Sequence, residues 1–247
     1  MLLNFSTLLI VTMAAGLTVY LIPKWKGEQF NLALIFSGSY LFGITVIHIL
    51  PELFNNSFST ELVGSMILVG FFLQLIIEYF TSGVEHGHVH LHENGHSHSV
   101  STSVSLLIAL CFHAFLEGSL LAHPTTIHEH HASNALLIGI SMHKIPAAFA
   151  LMSLVTCQFG SKIKQITFLS IFALASPIGM LISDYLSHEN VISESGFIML
   201  FALVGGSFLK ISTTIFFESS PEHKFNLKKI IISVLAAVLA ILAESLF

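Results

Sequence analysis

Charge is what this sequence lacks most. The 247-residue chain contains no arginine, and charged residues make up only 9% of it, against about 25% in soluble globular domains. Nothing in the chain resembles the basic patch with which proteins bind nucleic acid. Hydrophobic residues account for 54% of the chain, and its mean hydropathy is +0.84. This composition predicts an integral membrane protein whose main partner is the lipid bilayer.

Three further absences narrow the possibilities. The two cysteines, Cys111 and Cys157, give no disulfide framework and are expected to be small buried residues. The first lysine, Lys24, follows the first apolar run, so we interpret this run as a retained transmembrane helix rather than a secretory signal. The chain has no GxxxxGK[ST] motif for holding ATP phosphates, which favours a process driven by a gradient.

Long apolar runs dominate the sequence instead. A helical span takes about 20 apolar residues, and each span must be helical because lipid cannot hydrogen-bond free backbone groups. The predicted fold class is therefore all-α integral membrane, with residues 1–247 forming one transmembrane domain. Windows of this length predict eight helices, at about 2–22, 31–53, 61–82, 103–122, 134–157, 166–186, 196–217 and 227–246.

Lysines in the connecting segments predict the orientation. Seven of them fall between helices 1 and 2, 5 and 6, or 7 and 8, and the other short loops contain none. These seven are Lys24, Lys26, Lys162, Lys164, Lys224, Lys228 and Lys229. The positive-inside rule makes their side cytoplasmic. Both termini are then extracytoplasmic, and the loop 83–102 faces the cytoplasm.

Ionisable side chains inside predicted spans are costly and are therefore candidates for function. His113 and Glu117 in helix 4 are four residues apart, so they lie on one helical face and can bind one divalent ion. Helix 5 adds His143. His48 in helix 2 is either a further ligand or a packing and hydrogen-bonding residue.

Lys210 is a further ionisable residue in a predicted span, and it is not a candidate metal ligand. It lies in helix 7, which is expected to be broken by Gly205-Gly206. Lys210 is expected to reach toward solvent or a partner carboxylate, and no role is assigned to it.

Histidine is also concentrated in two connecting segments. The loop 83–102 contains His86, His88, His90, His92, His96 and His98, a tract expected to be flexible and to capture weakly held ions. The opposite loop contains His123, His128, His130 and His131, and can also be an ordinary polar loop. Imidazole suits zinc, copper, iron and nickel better than magnesium or calcium, so the pattern indicates a path for such a metal.

These segments resemble the ZIP family of divalent metal transporters. The most specific matches are HAFLEG in helix 4 and HKIPAAFAL in helix 5, supported by HILPE in helix 2 and GSFLKISTTIFFESSPE in helix 7. The His-Lys pair followed by PAAF resembles one branch of the family. The resemblance implies that His113, Glu117 and His143 bind the transported metal, and that the position near His48 contributes to the same site or its outer approach.

The same resemblance implies an inner exit path near the ends of helices 3 and 7. Its residues would be Glu78, Glu218, Glu222 and His223. Glu78 and Glu218 can also be interfacial residues that reach water.

The sequence departs from the family members that bind two metals. Where those members place further ligands, this chain has Ala114, Lys144, Ala147 and Ser176. A lysine ammonium would repel a second dication at close range in a low dielectric. We therefore expect a mononuclear site in which Lys144 takes the space of the second metal and supplies its charge to Glu117. The alternative is that Lys144 points elsewhere and only anchors helix 5.

The function predicted is gradient-driven transport of a divalent metal, with Zn²⁺ favoured, into the cytoplasm. Fe²⁺, Mn²⁺ and Cd²⁺ are further possible substrates, and no cofactor is expected. Acid should weaken binding, because the imidazoles must be neutral to ligate a metal. The resemblance also implies a homodimer and a helix group that carries the site past a static group. The expected location is a bacterial inner membrane.

The competing class is an intramembrane zinc hydrolase that uses the same three residues, with a carboxylate as base. The absence of an HExxH motif and the histidine tracts on both faces disfavour it. A metal-sensing receptor would need a signalling domain, for which the chain leaves no room. Within transport, efflux is the alternative direction.

Overall fold

The computed structural model describes residues 1–22, 28–55, 59–81, 100–122, 132–218 and 227–246, and no strand occurs among them. These residues form eight helices long and apolar enough to cross a membrane, which confirms the predicted all-α class with eight spans. The helices are α1 (Leu2–Leu17), α2 (Glu28–Phe54), α3 (Thr60–Thr81), α4 (Val100–Leu120), α5 (Ala132–Gln158), α6 (Lys162–His188), α7 (Glu194–Glu218) and α8 (Leu227–Leu246).

Helix α2 changes its winding near its end. A π-helical turn at Thr45–Ile49 separates the α-helical segments Glu28–Ile44 and Leu50–Phe54. Pro51 follows this turn and has no N–H to donate to the preceding turn. Wide turns of this kind are often found at functional sites, and this one contains His48.

Helix α7 is continuous, so the expected break at Gly205-Gly206 is wrong. A break would leave backbone groups unsatisfied in lipid, which costs several kcal/mol per group. The glycines serve packing instead: a Cβ at Gly206 would overlap the backbone carbonyl of Ile67 in α3. Gly70 of α3 lies equally close to the carbonyl of Leu203 in α7.

The packing divides the described helices into two groups of four. The first group consists of α2, α3, α7 and α8 and is called the α3–α7 group after two of its members. In it, α3 packs against α7, and α2 packs against α8 and α7. The second group consists of α1, α4, α5 and α6 and is called the α4–α6 group. In it, α4 packs against α6, and α1 packs against α5 and α6. The two groups meet chiefly where α2 faces α5.

Helix α5 lies at the centre of the molecule. Within the apolar spans, 83% of residues in α5 are buried, compared with 17% in α3 and in α8. Most of the surface of the latter two helices is therefore not covered by the other described residues. Cys157, near the end of α5, is exposed rather than buried as expected, whereas Cys111 is half-buried, and both thiols are free.

Glycines also fix the contact between α4 and α6. A Cβ at Gly118 would overlap the carbonyl of Ser176, and one at Gly179 would overlap the carbonyl of Phe115. The Ser176 hydroxyl donates a hydrogen bond of 2.6 Å to the Ala114 carbonyl. This close contact fixes residues 114–118, near the end of α4, against α6.

Candidate metal site

Three potential metal ligands converge between α4 and α5. His113, Glu117 and His143 each offer one ligand atom within 4.8 Å of the other two, and they are the one such group among the described residues. The two imidazole rings lie nearly perpendicular, with centroids 5.8 Å apart. All three side chains are buried, with Glu117 wholly inaccessible to solvent.

The polar atoms of this group are poorly satisfied by the protein itself. The His113 Nε2 and Glu117 Oε1 atoms lie 2.9 Å apart, but their geometry is not that of a hydrogen bond. Within the described part of the chain, neither atom has another hydrogen-bond partner, and Nδ1 of His143 also has none. Burying such groups unpaired costs about 1–3 kcal/mol each, and a bound cation would satisfy them.

The donor set suits zinc. Zinc takes imidazole nitrogen and carboxylate oxygen at about 2.0–2.2 Å, and zinc sites with three protein ligands keep a fourth position for water or another ligand. Three tetrahedral donors around one ion lie about 3.3 Å from one another. Because the present atoms are spread over up to 4.8 Å, the side chains would draw together slightly on binding.

Lys144 points into the site. Its Nζ donates a hydrogen bond of 2.7 Å to Glu117 Oε2 and lies 5.2 Å from the centre of the Phe172 ring in α6. The side chain is almost fully buried. One oxygen of Glu117 is thus paired with an ammonium, while the other faces His113. That Lys144 replaces a second metal stays a prediction.

The other three positions that depart from the two-metal pattern supply no ligand. Ala114, Ala147 and Ser176 are buried, and the Ser176 hydroxyl is engaged by the Ala114 carbonyl. Neither alanine has a side-chain donor atom.

His48 is not brought into this group. Its Nδ1 lies 3.0 Å from Glu244 Oε1, and its Nε2 lies 3.4 Å from Glu52 Oε2. These three residues line a separate pocket at the ends of α2 and α8. The sequence analysis did not single out Glu244. The signal was present, since Glu244 is an ionisable residue inside a predicted span, but its partner is 196 residues away.

The proposed exit path is described only in part. Glu78 accepts a hydrogen bond from Lys210 Nζ, so Lys210 reaches a partner carboxylate, as expected. Glu218 ends α7, but its side chain lies outside what the structure describes. Also outside the described residues are Glu222, His223, and all the loop histidines: His86, His88, His90, His92, His96, His98, His123, His128, His130 and His131.

Comparison with known proteins identifies a family for this chain. The family model described as ZIP zinc transporter matches residues 85–243, which is more than half of the chain and includes α4 and α5 with the three convergent ligands. A comparison with curated proteins finds no match. Members of the matched family carry divalent metals, commonly zinc, across membranes. With eight potential spans among its described residues, this multi-pass membrane protein belongs to the ZIP zinc transporter family.

Proposed function

We propose that this protein moves Zn²⁺ into the cytoplasm through a single mononuclear site formed by His113, Glu117 and His143. One observation carries the proposal: three buried side chains that can bind metal converge within the spans, and several of their polar atoms have no hydrogen-bond partner among the described residues. A buried and unsatisfied group of this kind is rarely retained without a function.

The site is suited to transient binding. A transported ion must bind well enough to enter a site but weakly enough to leave it. Three ligands of mixed nitrogen and oxygen type bind less firmly than a closed thiolate cage. Lys144 weakens binding further, because its ammonium already neutralises part of the Glu117 charge.

The arrangement of the helices supports a moving-carrier mechanism. All three ligands lie on α4 and α5, within the α4–α6 group. A displacement of this group against the α3–α7 group would carry the ion from one face to the other. The chain has no ATP-binding motif, so a gradient would supply the driving force.

The direction, location and assembly are extensions of the same proposal. The loop lysines support extracytoplasmic termini and a cytoplasmic loop 83–102, whose histidines would receive the ion. Glu78, Glu218, Glu222 and His223 would line the exit. A bacterial inner membrane and a homodimer complete the proposal. His48, which contacts Glu52 and Glu244, is left out of the central ligand set.

Metal uptake by sealed proteoliposomes loaded with a zinc-sensitive dye tests the proposal. We expect saturable uptake for the wild type and none for His143→Ala. The matched control is His188→Ala, because this histidine is 78% exposed at the end of α6 and should leave uptake unchanged. Thermal unfolding should show that all three proteins are folded.

Two results would contradict the proposal. Folded wild type that admits no zinc is not a carrier of zinc, and retention of one tightly held ion would then favour the hydrolase alternative. Uptake that survives His143→Ala would place the transported ion elsewhere.

A further inference from the structure

A second cluster of histidine and glutamate side chains lies outside the central site. It lines a pocket of about 490 Å³ where α2 and α8 end. His48 stands in the π-helical turn of α2, Glu52 follows one helical turn later, and Glu244 comes from α8. The described residues that line the pocket include two carboxylates and one imidazole but no lysine. The electrostatic field in the pocket therefore attracts cations.

The two ring nitrogens of His48 lie at different distances from the two carboxylates. His48 Nδ1 is within hydrogen-bond distance of Glu244 Oε1, at 3.0 Å. His48 Nε2 and Glu52 Oε2 are farther apart, at 3.4 Å. Two ligands that share a tetrahedral zinc ion are separated by about 3.3 Å, so this second pair is already spaced to chelate one ion.

The contact of His48 Nδ1 with Glu244 suits the tautomer that such chelation requires. A metal-ligating histidine usually donates its other ring N–H to a carboxylate, which fixes the tautomer and the ring orientation. With Nδ1–H donated to Glu244, the lone pair of Nε2 faces Glu52. The second oxygen of Glu244, Oε2, is buried and has no hydrogen-bond donor among the described residues. A nearby cation would stabilise this incompletely satisfied carboxylate.

We propose that His48 and Glu52 form a second divalent-metal site, with Glu244 as its positioning residue. The resemblance to the ZIP family implied that His48 belongs to the central site or its outer approach, but it implied no role for Glu52 or Glu244. The role of this second site in capture rests on the proposed function. Because successive spans alternate in direction, the ends of α2, α4 and α8 share one face of the membrane, which the loop lysines indicate to be extracytoplasmic. Two protein ligands completed by water give a weak site, which suits capture of an ion before transport.

Anomalous scattering from crystals of the full-length protein soaked in Cd²⁺ tests the site directly. We expect a peak within bonding distance of His48 Nε2 and Glu52 Oε2, separate from any peak at the central site. The peak should be lost in Glu52→Gln. A central peak without one in the pocket would overturn the proposal and leave the proposed function intact.

Zinc uptake in proteoliposomes gives an independent readout. Glu52→Gln should raise the zinc concentration for half-maximal uptake about tenfold. The maximal rate of uptake should change much less. Glu61→Gln is the matched control, since this exposed carboxylate lies at the start of α3 on the same face. An unchanged half-maximal concentration in Glu52→Gln would overturn the proposal, whereas failure of the wild type would speak against the proposed function.

Two substitutions of Glu244 separate positioning from a general structural role. Glu244→Gln keeps an oxygen that accepts the Nδ1–H hydrogen bond, whereas Glu244→Leu does not. We expect half-maximal uptake to shift about tenfold for Glu244→Leu and substantially less for Glu244→Gln. Equal shifts in two equally stable variants would show that Glu244 does not act through His48.

Discussion

The two carboxylate oxygens of Glu117 have different neighbours. Its Oε2 accepts a hydrogen bond from the Lys144 ammonium, and its Oε1 faces the unsatisfied nitrogen of His113. Without metal, the buried carboxylate is therefore neutralised by Lys144. An ion bound at the proposed site would share this carboxylate with a fixed positive charge, which would oppose tight retention.

The first prediction follows from this division. Lys144→Met removes the charge but keeps a long apolar side chain. We expect Zn²⁺ to bind the central site about tenfold more tightly, because two like charges repel strongly even at an effective dielectric of about 20. Isothermal titration of the purified protein would measure the affinity, and uptake should slow because release becomes harder.

Lys144→Arg, which keeps the charge, is the control for this measurement. The metal-free Lys144→Met protein should also be less stable, because it leaves a buried carboxylate unpaired, and added zinc should restore its stability. Weaker zinc binding by a folded Lys144→Met protein would show that Lys144 assists the ion rather than opposing it.

Local spacing explains which site residues were predictable. His113 and Glu117 are four residues apart on a helix, so their proximity follows from helix geometry alone. His48 and Glu52 have the same spacing, but the sequence did not reveal that His48 would contact Glu244 rather than the central ligands. That contact depends on how α8 packs against α2, which no local pattern specifies.

At the scale of helices, α4 is held to α6 by backbone contact rather than by interlocking side chains. Gly118 and Gly179 let each helix lie against a carbonyl of the other, a mode of packing common in membranes. Gly118 directly follows Glu117, so the separation of α4 from α6 also sets the position of a proposed metal ligand.

A substitution at this contact should therefore affect both stability and binding. In Gly118→Ala, the new methyl group would overlap the Ser176 carbonyl, and the helices must separate at a cost of about 1–3 kcal/mol. We expect a lower midpoint of thermal unfolding and weaker zinc binding. In the control Gly64→Ala, no heavy atom lies within 4 Å of the added carbon, and unfolding should shift little or upward. Equal effects of both substitutions would mean that the contact does not position Glu117.

The helices themselves were largely predictable, because lipid leaves the backbone no alternative to internal hydrogen bonds. The same principle explains the error at Gly205-Gly206. In water, two adjacent glycines weaken a helix, but within a span the helix persists and the glycines permit close packing on α3. The π-helical turn at Thr45–Ile49 was not predicted, since Pro51 alone does not specify how α2 accommodates it.

At the scale of the whole molecule, polar contacts tie helices within each group. In the α3–α7 group, Lys210 pairs with Glu78, and the Ser207 hydroxyl donates a 2.9 Å hydrogen bond to Gln74. In the α4–α6 group, the Ser103 hydroxyl donates to Gln158 at 2.5 Å. Between the groups, the Tyr40 hydroxyl of α2 donates a longer hydrogen bond, of 3.4 Å, to the Ala135 carbonyl of α5. This pattern favours two units that can move against each other.

The last prediction tests that movement. Cys111 and Cys157 are first replaced by serine, and a cysteine pair is introduced at Tyr40 and Ala135, across the two groups. A short bis-methanethiosulfonate linker should then reduce zinc uptake to the level of empty liposomes, because the ligands on α4 and α5 can no longer travel past α2. Reduction of the linker should restore uptake, and zinc binding should persist throughout.

A cysteine pair at Ser103 and Gln158 is the matched control, since it joins α4 to α5 within one group. The same linker should leave uptake unchanged there, because both helices move together. If the linked Tyr40–Ala135 pair still transports zinc at the unlinked rate, the groups need not separate. The ion would then cross through a path that opens within the α4–α6 group itself.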